Sequence, residues 1–295
     1  MFSVIFPGQG SQIVAMGKEF YDKHDLVKTL FREADEVLGV PISKIILEGP
    51  KDELDLTVNT QPAIFLISFS IFQVIKKEFN IDLHKAKYFA GHSLGEYSAI
   101  ACANYLGFQE TIQILKRRGD AMQNSVSKGE GGMLAVLGTN IENIEKILNE
   151  NKNNFVAEIA NDNSDGQIVL SGKNIDLNKL IEVLKLNNIK NMKLPVSAPF
   201  HSSLMHPATI IMEGAIANVK MREPSVPLIS NVTATKVTSV EELEKLLIKQ
   251  ICGRVRWRES ILNLKNYGVE QIYEIGFGKA LSGMIKRIDT KKNVF

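Results

Sequence analysis

The sequence predicts an α/β fold in which a large domain with a mostly parallel sheet carries a small inserted subdomain. Strand and helix patterns alternate in the first part of the chain, which is typical of a parallel sheet covered by helices. In the middle of the chain the elements follow a different order. A chain of 295 residues has the length of one large domain or of a domain with an insertion.

The first part of the large domain is predicted from short apolar strands and longer helical patterns. Strands are expected at residues 3–6 and 87–90, and helices at 25–38, 61–79, 94–103 and 109–123. The second of these helices contains the longest apolar stretch, residues 63–75, which is interrupted by Ser68, Ser70 and Gln73. Because this stretch is too short to span a bilayer, we expect a buried helix.

The inserted subdomain is predicted at residues 127–196. A flexible hinge is expected at its start, in Gly129-Glu130-Gly131-Gly132. Strands are expected at 133–137, 156–160, 167–171 and 191–196, helices at 141–149 and 177–186, and a turn at 161–166. This βαββαβ order is that of the ferredoxin-like split unit.

After the insertion the chain returns to the large domain. Helices are expected at 202–219, at 240–251 and finally up to about residue 288, with strands at 228–230 and 271–275. We therefore assign residues 1–126 and 197–295 to a large α/β-hydrolase-like subdomain with a mostly parallel sheet. Residues 127–196 are assigned to a ferredoxin-like small subdomain.

The composition argues against several classes of function. With 44% hydrophobic and 23% charged residues the chain is typical of a globular protein, and its net charge of +2 is too small to predict nucleic-acid binding. Residues 1–7 are apolar but lack a basic region, so they predict a first strand and not a targeting segment. Cys102 and Cys252 have no metal-ligand spacing. We expect a cytoplasmic protein with reduced cysteines that binds no membrane, metal or cofactor.

The strongest functional candidate is a serine nucleophile. Ser93 lies in Gly91-His92-Ser93-Leu94-Gly95, between a predicted strand and a helix of small and apolar residues. This pattern matches a nucleophile elbow. The glycines let the strand and the helix approach each other while the serine takes a strained conformation, and the helix N-terminus favours negative charge. The alternative is a tight strand-to-helix turn with an incidental serine.

A serine nucleophile needs a base, and the sequence contains five histidines. His24 and His84 lie among charged residues and are expected at the surface. His92 is adjacent to Ser93, and adjacent side chains along a strand point in opposite directions. His201 follows an irregular segment directly after the small subdomain, which places it at a cleft between the two units. We therefore favour His201 as the base.

Two further segments offer groups that stabilise negative charge. The loop Gly8-Gln9-Gly10-Ser11-Gln12 is a weak dinucleotide fingerprint, because Ile13 stands where the third glycine should be. The same loop either presents backbone N–H groups to an oxyanion or is an ordinary turn. Arg117 and Arg118 end a predicted helix, and at most one of them can face inward. A buried arginine there would provide a bidentate fork for a carboxylate.

Short motifs from the first strand to the last helix carry a resemblance to a known family. They are FPGQGSQ at 6–12, TQPA at 60–63, AGHSLGEYSA at 90–99, RG at 118–119, MQ at 122–123, NS at 163–164, GQ at 166–167, PVS at 195–197, FH at 200–201, Gln250, and VRW at 255–257. In order and spacing these motifs resemble the malonyl-CoA:acyl carrier protein transacylase family of fatty acid synthesis.

The resemblance implies catalytic roles for five positions. Ser93 would be the nucleophile and His201 the general base. The backbone carbonyl of Gln250 would orient His201 in place of a carboxylate. The N–H groups of Gln9 and Leu94 would form the oxyanion hole.

The resemblance also implies how substrate is bound. Arg118 would bind the malonyl carboxylate, while Arg117 is expected to point to solvent. The other substrate-binding positions would be Gln61, His92, Met122, Asn163 and Phe200. The implied reaction transfers malonyl from malonyl-CoA to the phosphopantetheine thiol of acyl carrier protein by a ping-pong mechanism. It is implied to proceed through a malonyl-serine intermediate, in a monomer without cofactors.

Three positions depart from the family pattern. Asp165 stands where the family usually has proline after Asn-Ser, Phe277 replaces the proline of a C-terminal Gly-Pro-Gly, and Arg254 takes a place where proline is common. None of them touches the chemistry that the resemblance implies. Asp165 would affect the rigidity of a loop at the rim of the cleft.

Two alternatives come from other classes of protein. A serine esterase or thioesterase of the α/β-hydrolase type shares the elbow but requires an acid between the serine and the histidine in the chain. Here the predicted insertion occupies that interval, and no acid in it stands out. A non-enzymatic scaffold that binds CoA or a carrier protein would need neither Ser93 nor His201.

Overall fold

The structure, a computed structural model, describes residues 1–196, 198–289 and 293–295. Ser197, which belongs to one of the family motifs, lies outside the described residues. The strands are β1 (Phe2–Phe6), β2 (Phe89–Gly91), β3 (Gly131–Leu137), β4 (Ala157–Ser164), β5 (Gln167–Lys173), β6 (Lys190–Lys193), β7 (Leu228–Ile229), β8 (Gln271–Glu274) and β9 (Asn293–Val294). The helices are α1 (Lys18–Lys23), α2 (Asp25–Leu38), α3 (Ile42–Glu48), α4 (Lys51–Asp55), α5 (Thr57–Lys77), α6 (Leu94–Cys102), α7 (Phe108–Gln123), α8 (Ile141–Glu150), α9 (Asn174–Leu186), α10 (His206–Ala217), α11 (Val240–Cys252), α12 (Trp257–Asn266) and α13 (Ala280–Ile288).

A five-stranded sheet in the order β7-β2-β1-β8-β9 forms the centre of the larger unit. Every strand pair described in it is parallel, which confirms the predicted mostly parallel sheet. Val4, Ile5 and Phe6 of the central strand β1 are fully buried, since helices cover both faces of such a sheet. The carboxyl ends of β1 and β2 lead directly into the Gly8 loop and the Ser93 turn, so the topology brings these two segments together.

Helix α5 is the buried helix that the apolar stretch predicts. Among the described residues it is the one helix long and apolar enough to cross a membrane, but 78% of its most apolar window is buried inside the fold. It packs against α7, α6 and α2. We therefore assign α5 to the core of the fold.

The second sheet is antiparallel and has the strand order β4-β5-β3-β6. Along the chain its elements run β3, α8, β4, β5, α9 and β6, which confirms the predicted βαββαβ unit. Helices α8 and α9 cover it, and apolar residues such as Leu134, Ile144 and Leu177 form a separate core. The exact limits of the subdomain, residues 127–196, stay a prediction.

Two predictions in this region are wrong. Gly131 and Gly132 are not a hinge but the first residues of β3. A Cβ on Gly131 would lie 2.5 Å from Pro199 Cδ, so the glycine serves close packing and not flexibility. The predicted turn at 161–166 is mostly strand, because β4 continues through two irregularities in its register to Ser164.

Other differences concern short or irregular elements. Helices α1, α3, α4 and α12 and the short strand β9 were not predicted. All of these except α12 are too short to show a clear period. The helix expected at 202–219 begins only at His206, after a 3₁₀ turn at Ser203–Met205.

The two units are joined next to the site by backbone hydrogen bonds between β4 and the segment before α12. The N–H of Asp162 donates to the carbonyl of Val255 at 3.0 Å, and the N–H of Val255 donates to the carbonyl of Ala160 at 2.8 Å. The guanidinium of Arg258 pairs with the buried carboxylate of Asp162 at 3.0 Å. These contacts fix the small sheet against the large one at the position of Asn163.

Candidate active site

Ser93 has the geometry of a nucleophile elbow. Its backbone has φ 54° and ψ −111°, a strained conformation for a residue with a side chain, at the turn from β2 into α6. A Cβ on Gly91 would lie 1.9 Å from the carbonyl oxygen of Gly95, and a Cβ on Gly95 would lie 2.3 Å from that of Phe6. Strand, turn and helix therefore pack so closely that both flanking positions require glycine.

His201 lies against the Ser93 hydroxyl. Ser93 Oγ and His201 Nε2 are 2.8 Å apart, and His201 Nδ1 is 2.8 Å from the backbone oxygen of Gln250. Because a carbonyl only accepts, Nδ1 carries the proton, and Nε2 is left to accept the serine proton. Burial, together with the nearby charge of Arg118, lowers the pKa of His201 to about 3. The imidazole is therefore neutral at physiological pH, as a base must be.

Arg118 is fully buried beside the nucleophile, at 1% exposure. Its Nη1 donates to Gln61 Oε1 and its Nη2 to Gln250 Oε1, both at 2.7 Å, and Nη2 also lies 3.2 Å from Ser93 Oγ. The guanidinium stacks on the ring of Tyr97. Its hydrogen-bond acceptors among the described residues are all neutral, and Glu96 acts on it only as a nearby charge. A buried cation held only by neutral acceptors is costly, so the site is suited to receive an anion.

Close packing of two helices brings Arg118 into this position. A Cβ on Gly119 would lie 2.5 Å from the carbonyl oxygen of Thr57, so α7 lies directly against the start of α5. Arg117 is exposed, as the sequence predicts.

Two backbone N–H groups at the elbow and in the adjacent loop are candidates for an oxyanion hole. Leu94 is the first residue of α6, and Gln9 follows β1. Within the described residues, neither amide N–H has a hydrogen-bond acceptor. The Gln9 loop is held on the elbow, because a Cβ on Gly8 would lie 2.5 Å from the carbonyl oxygen of His92, and Gln9 Nε2 donates to Thr57 Oγ1 at 3.2 Å.

A cavity of about 450 Å³ opens above these groups, between the two sheets. The small sheet contributes residues from β3, β4 and β5 to its wall, including Ala135, Asn161 and Val169. Nine of the predicted site residues line it: Gln9, Gln61, His92, Ser93, Arg118, Met122, Asn163, Phe200 and His201. The structure thus brings together in one cleft residues that are scattered over almost 200 positions of the chain.

The side chain of His92 is hydrogen-bonded to the small sheet. Its Nε2 lies 2.8 Å from Asn163 Oδ1, and its ring packs edge-on against Trp257. Burial lowers the pKa of His92. His92 therefore connects the elbow to β4 and positions Asn163, which agrees with the prediction that His92 is not the base.

The remaining predicted binding residues form the floor and one wall of the cavity. Gln61 Nε2 lies 3.9 Å from the sulfur of Met122, so both residues support the Arg118 side. Phe200, at 6% exposure, directly precedes His201, and its carbonyl accepts a hydrogen bond from Ser171 Oγ at 2.5 Å.

The two histidines expected at the surface are only partly exposed. The side chain of His24 is only 17% exposed and that of His84 only 14%. His84 packs edge-on against Phe72, and its Nε2 bonds to the carbonyl of Cys102. Phe72 and Phe89, from other parts of the chain, cover much of the His84 ring, which local charge cannot indicate.

The sequence did not single out Glu96, Tyr97 and Asn231, although all three are buried around the site. Asn231 Oδ1 accepts the N–H of Ser93 at 2.7 Å. Burial raises the pKa of Glu96 to about 7, against the opposing effect of donors from Gln250 and Asn231. Glu96 and Tyr97 lie inside the AGHSLGEYSA motif, and a glutamate in a helix of otherwise small and apolar residues was the available signal.

Comparison with known proteins gives consistent matches over the whole chain. Residues 3–287 match the acyl transferase domain family. The malonyl CoA-acyl carrier protein transacylase of Bacillus subtilis (strain 168) is 39% identical over 289 residues, which cover 97% of this chain and 90% of the relative.

Solved structures agree with this match. An acyl-carrier-protein S-malonyltransferase from Bartonella henselae superimposes with a TM-score of 0.96 at 40% identity, covering 99% of this chain and 94% of the other. A malonyl-transacylase solved in complex with its type II PKS acyl-carrier protein has a TM-score of 0.95 at 33% identity, again covering 99% of this chain and 94% of the other.

Proposed function

Because the chain belongs to the acyl transferase family, we propose that it transfers the malonyl group of malonyl-CoA to the phosphopantetheine thiol of acyl carrier protein. This reaction supplies extender units for fatty acid synthesis. The observation that carries the proposal is the buried guanidinium of Arg118, 3.2 Å from Ser93 Oγ. A cation in contact with the nucleophile suits an acyl group that bears its own carboxylate.

In the first half-reaction Ser93 attacks the thioester carbonyl of malonyl-CoA. His201 Nε2 takes the serine proton as the Oγ–C bond forms. When the tetrahedral intermediate collapses, the C–S bond breaks and the same proton passes to the CoA sulfur. The N–H groups of Gln9 and Leu94 stabilise the oxyanion, an effect worth about 3 kcal/mol per donor in comparable sites.

In the second half-reaction the thiol of the phosphopantetheine arm enters the same cavity. His201 takes the thiol proton, the sulfur attacks the malonyl ester, and the Oγ–C bond breaks with return of the proton to Ser93. Gln250 keeps the imidazole oriented throughout, because its carbonyl oxygen accepts the proton on Nδ1.

The malonyl carboxylate binds to Arg118. Its two oxygens accept parallel hydrogen bonds from the planar guanidinium, which stays charged at physiological pH. Gln61 and Gln250 hold the guanidinium in place by accepting its other hydrogen bonds. Met122, Asn163, His92 and Phe200 shape the rest of the cavity around the acyl chain.

The proposal includes a cytoplasmic monomer that uses no cofactor and no metal, with malonyl-CoA and acyl carrier protein as its partners. A relative solved together with its acyl-carrier protein supports the choice of partner.

An esterase is the nearest rival, and the orientation of His201 argues against it. In such hydrolases a carboxylate accepts the Nδ1 proton of the histidine. Here that acceptor is the backbone carbonyl of Gln250. A binding scaffold would require neither the 2.8 Å contact between Ser93 and His201 nor a strained serine.

Mass spectrometry after mixing with malonyl-CoA tests the proposal. We expect a malonyl adduct on Ser93 that is discharged when holo acyl carrier protein is added, and no adduct in Ser93→Ala. Release of free malonate at the same rate with and without the carrier would indicate an esterase, and absence of an adduct in the wild type would indicate a scaffold.

A further inference from the structure

Glu96 is a buried carboxylic acid that no step of the reaction uses. It lies in the first turn of α6, three residues after Ser93, and is 1% exposed. A carboxylate loses much hydration free energy when it is buried, so its environment must compensate. Its Oε1 accepts from the N–H of Asn231 at 3.2 Å and its Oε2 from Gln250 Nε2 at 2.5 Å, and the side chain of Ser230 also stabilises the charged form.

The side chain of Gln250 is an amide whose two ends differ. Its Oε1 accepts from Arg118 at 2.7 Å, while its Nε2 donates to Glu96 and, at 3.0 Å, to the carbonyl of Ser93. A guanidinium only donates, and Glu96 in its ionised form only accepts. Placed between the two, the amide has one orientation that satisfies every partner.

The second partner of Glu96 leads to the elbow. Asn231 accepts the N–H of Ser93 through Oδ1 at 2.7 Å and donates to the carbonyl of Gly91 through Nδ2 at 2.6 Å. It therefore bridges the residue before the turn and the residue at its apex. Glu96 holds the backbone of Asn231 in the position that makes this possible.

We propose that Glu96 is a positioning residue for malonyl transfer, which fixes the direction of the Gln250 amide and thereby holds Arg118 beside Ser93. Glu96 is not part of the cavity lining, so it acts through Gln250 and Asn231 and not on substrate. The inference rests on the proposed roles of Ser93 and Arg118.

Glu96→Gln is the informative change because it keeps the shape and removes one acceptor. The groups that bond its two oxygens, the Asn231 N–H on Oε1 and the Gln250 amide on Oε2, both donate, so the new NH₂ must face one of them. The Asn231 donor is a backbone N–H and cannot turn, whereas the Gln250 amide can rotate by 180°. We therefore expect Gln250 to flip, which turns its NH₂ toward Arg118, leaves that guanidinium without its acceptor and removes the donor to the Ser93 carbonyl.

The test measures kcat/KM for malonyl-CoA and for acetyl-CoA in each variant, with thermal melting as the control for folding. Glu96→Gln should lower the malonyl value about 10- to 100-fold and the acetyl value much less, since acetyl carries no carboxylate for Arg118. Glu96→Asp keeps two acceptor oxygens and should recover part of the loss.

Asp35→Asn is the matched control. Asp35 is a partly buried carboxylate on α2 that accepts both the N–H and the hydroxyl of Ser43, and its loss should leave the malonyl-to-acetyl ratio unchanged.

A second variant keeps the proposal testable if Glu96→Gln does not fold. Gln250→Met removes the amide but leaves the backbone carbonyl on His201, and it should reproduce the malonyl-selective loss. In a double variant of the two positions the losses should not add, because both act through one group. An unchanged ratio in Glu96→Gln or in Gln250→Met, equal losses for both thioesters, or additive effects would overturn the proposal. A wild type that forms no malonyl adduct would instead overturn the proposed function.

Discussion

Arg118 and Ser93 are in direct contact, with 3.2 Å between the guanidinium Nη2 and the hydroxyl Oγ. The group proposed to bind the malonyl carboxylate therefore touches the group proposed to attack the thioester before any substrate is present. The same guanidinium lowers the pKa of His201 through its charge, although burial has the larger effect. The carboxylate-binding group, the nucleophile and the base are thus electrostatically coupled. We expect a change at Arg118 to affect the selectivity for malonyl over acetyl more than the transfer of acetyl.

Arg118→Ala should strongly lower malonyl transfer and change acetyl transfer little. A malonyl carboxylate left without its partner in a cavity that sheds water loses about 3 kcal/mol, a factor of about 100 in kcat/KM. Arg118→Lys should restore only part of this, because a point charge does not reproduce bidentate geometry. The measurement is the ratio of the malonyl and acetyl specificity constants. Arg117→Ala is the matched control, since Arg117 is exposed. If the malonyl-to-acetyl ratio collapsed in Arg117→Ala, the carboxylate site would have been assigned to the wrong arginine.

His201→Ala should slow both half-reactions by about 10²- to 10⁴-fold, the usual contribution of a general base. Rapid-quench measurement of Ser93 malonylation, and of its discharge by the carrier, resolves the two steps. His92→Ala serves as the comparison, because His92 is partly buried nearby but is hydrogen-bonded to Asn163. If His92→Ala were the more damaging change, the base would have been assigned to the wrong histidine.

A fall in the malonylation rate as the pH is lowered through about 7 should come from protonation of Glu96 and not from protonation of His201. His201 has a pKa of about 3, so above that pH it is neutral and able to accept the serine proton. Single-turnover rates with saturating malonyl-CoA between pH 5 and 8 test this. Glu96, with a pKa of about 7, is the other group that titrates in this window. A step in the profile that persists in Glu96→Gln would belong to His201 and would contradict the prediction.

The sequence predicted those parts of the fold that depend on hydrophobic periodicity and on the order of strands and helices. Alternation of strands and helices predicted the parallel sheet, and the βαββαβ order predicted the small sheet. It predicted wrongly where tertiary contacts decide. The β4 strand extends through a polar segment because Val255 supplies hydrogen bonds, and Gly131 lies in a strand because Pro199 packs against it.

For the site, the elbow was visible in the sequence, since its glycines are required by local geometry. His201 was favoured only from its place at the subdomain junction, and its partner Gln250 came from the resemblance alone. The local sequence does not reveal a backbone carbonyl as the acceptor for His201, nor the hydrogen bonds that link Glu96, Gln250 and Arg118. The fold alone brings these residues together. Residues of this kind are found from burial and hydrogen-bond direction.

Phe200→Ala should increase transfer of methylmalonyl relative to malonyl. Phe200 lines the cavity directly before His201, whereas Leu94 is buried behind the elbow and does not line it. A branched α-carbon would crowd the phenyl ring, and a single methyl group is worth about 1–3 kcal/mol, so the wild type should prefer malonyl without excluding methylmalonyl. The ratio of the two specificity constants measures this. Met133→Ala, which enlarges the cavity from the β3 side, is the control, and an equal shift in both variants would mean that cavity size and not Phe200 sets the preference.

Gly95→Ala should destabilise the protein although it replaces glycine by alanine inside a helix. In an exposed helix this change is stabilising by up to about 1 kcal/mol, as expected for Gly214→Ala in α10, where a Cβ meets nothing within 4 Å. At Gly95 the Cβ would lie 2.3 Å from the carbonyl oxygen of Phe6, which belongs to the central strand and cannot yield without moving β1 or α6. We expect a loss of about 1–3 kcal/mol in the free energy of unfolding, measured by urea denaturation. Malonylation of Ser93 should slow as well, because any shift of α6 moves the Leu94 N–H away from the oxyanion. A Gly95→Ala protein as stable and as active as Gly214→Ala would show that the strand and the helix are not packed as tightly as these distances indicate.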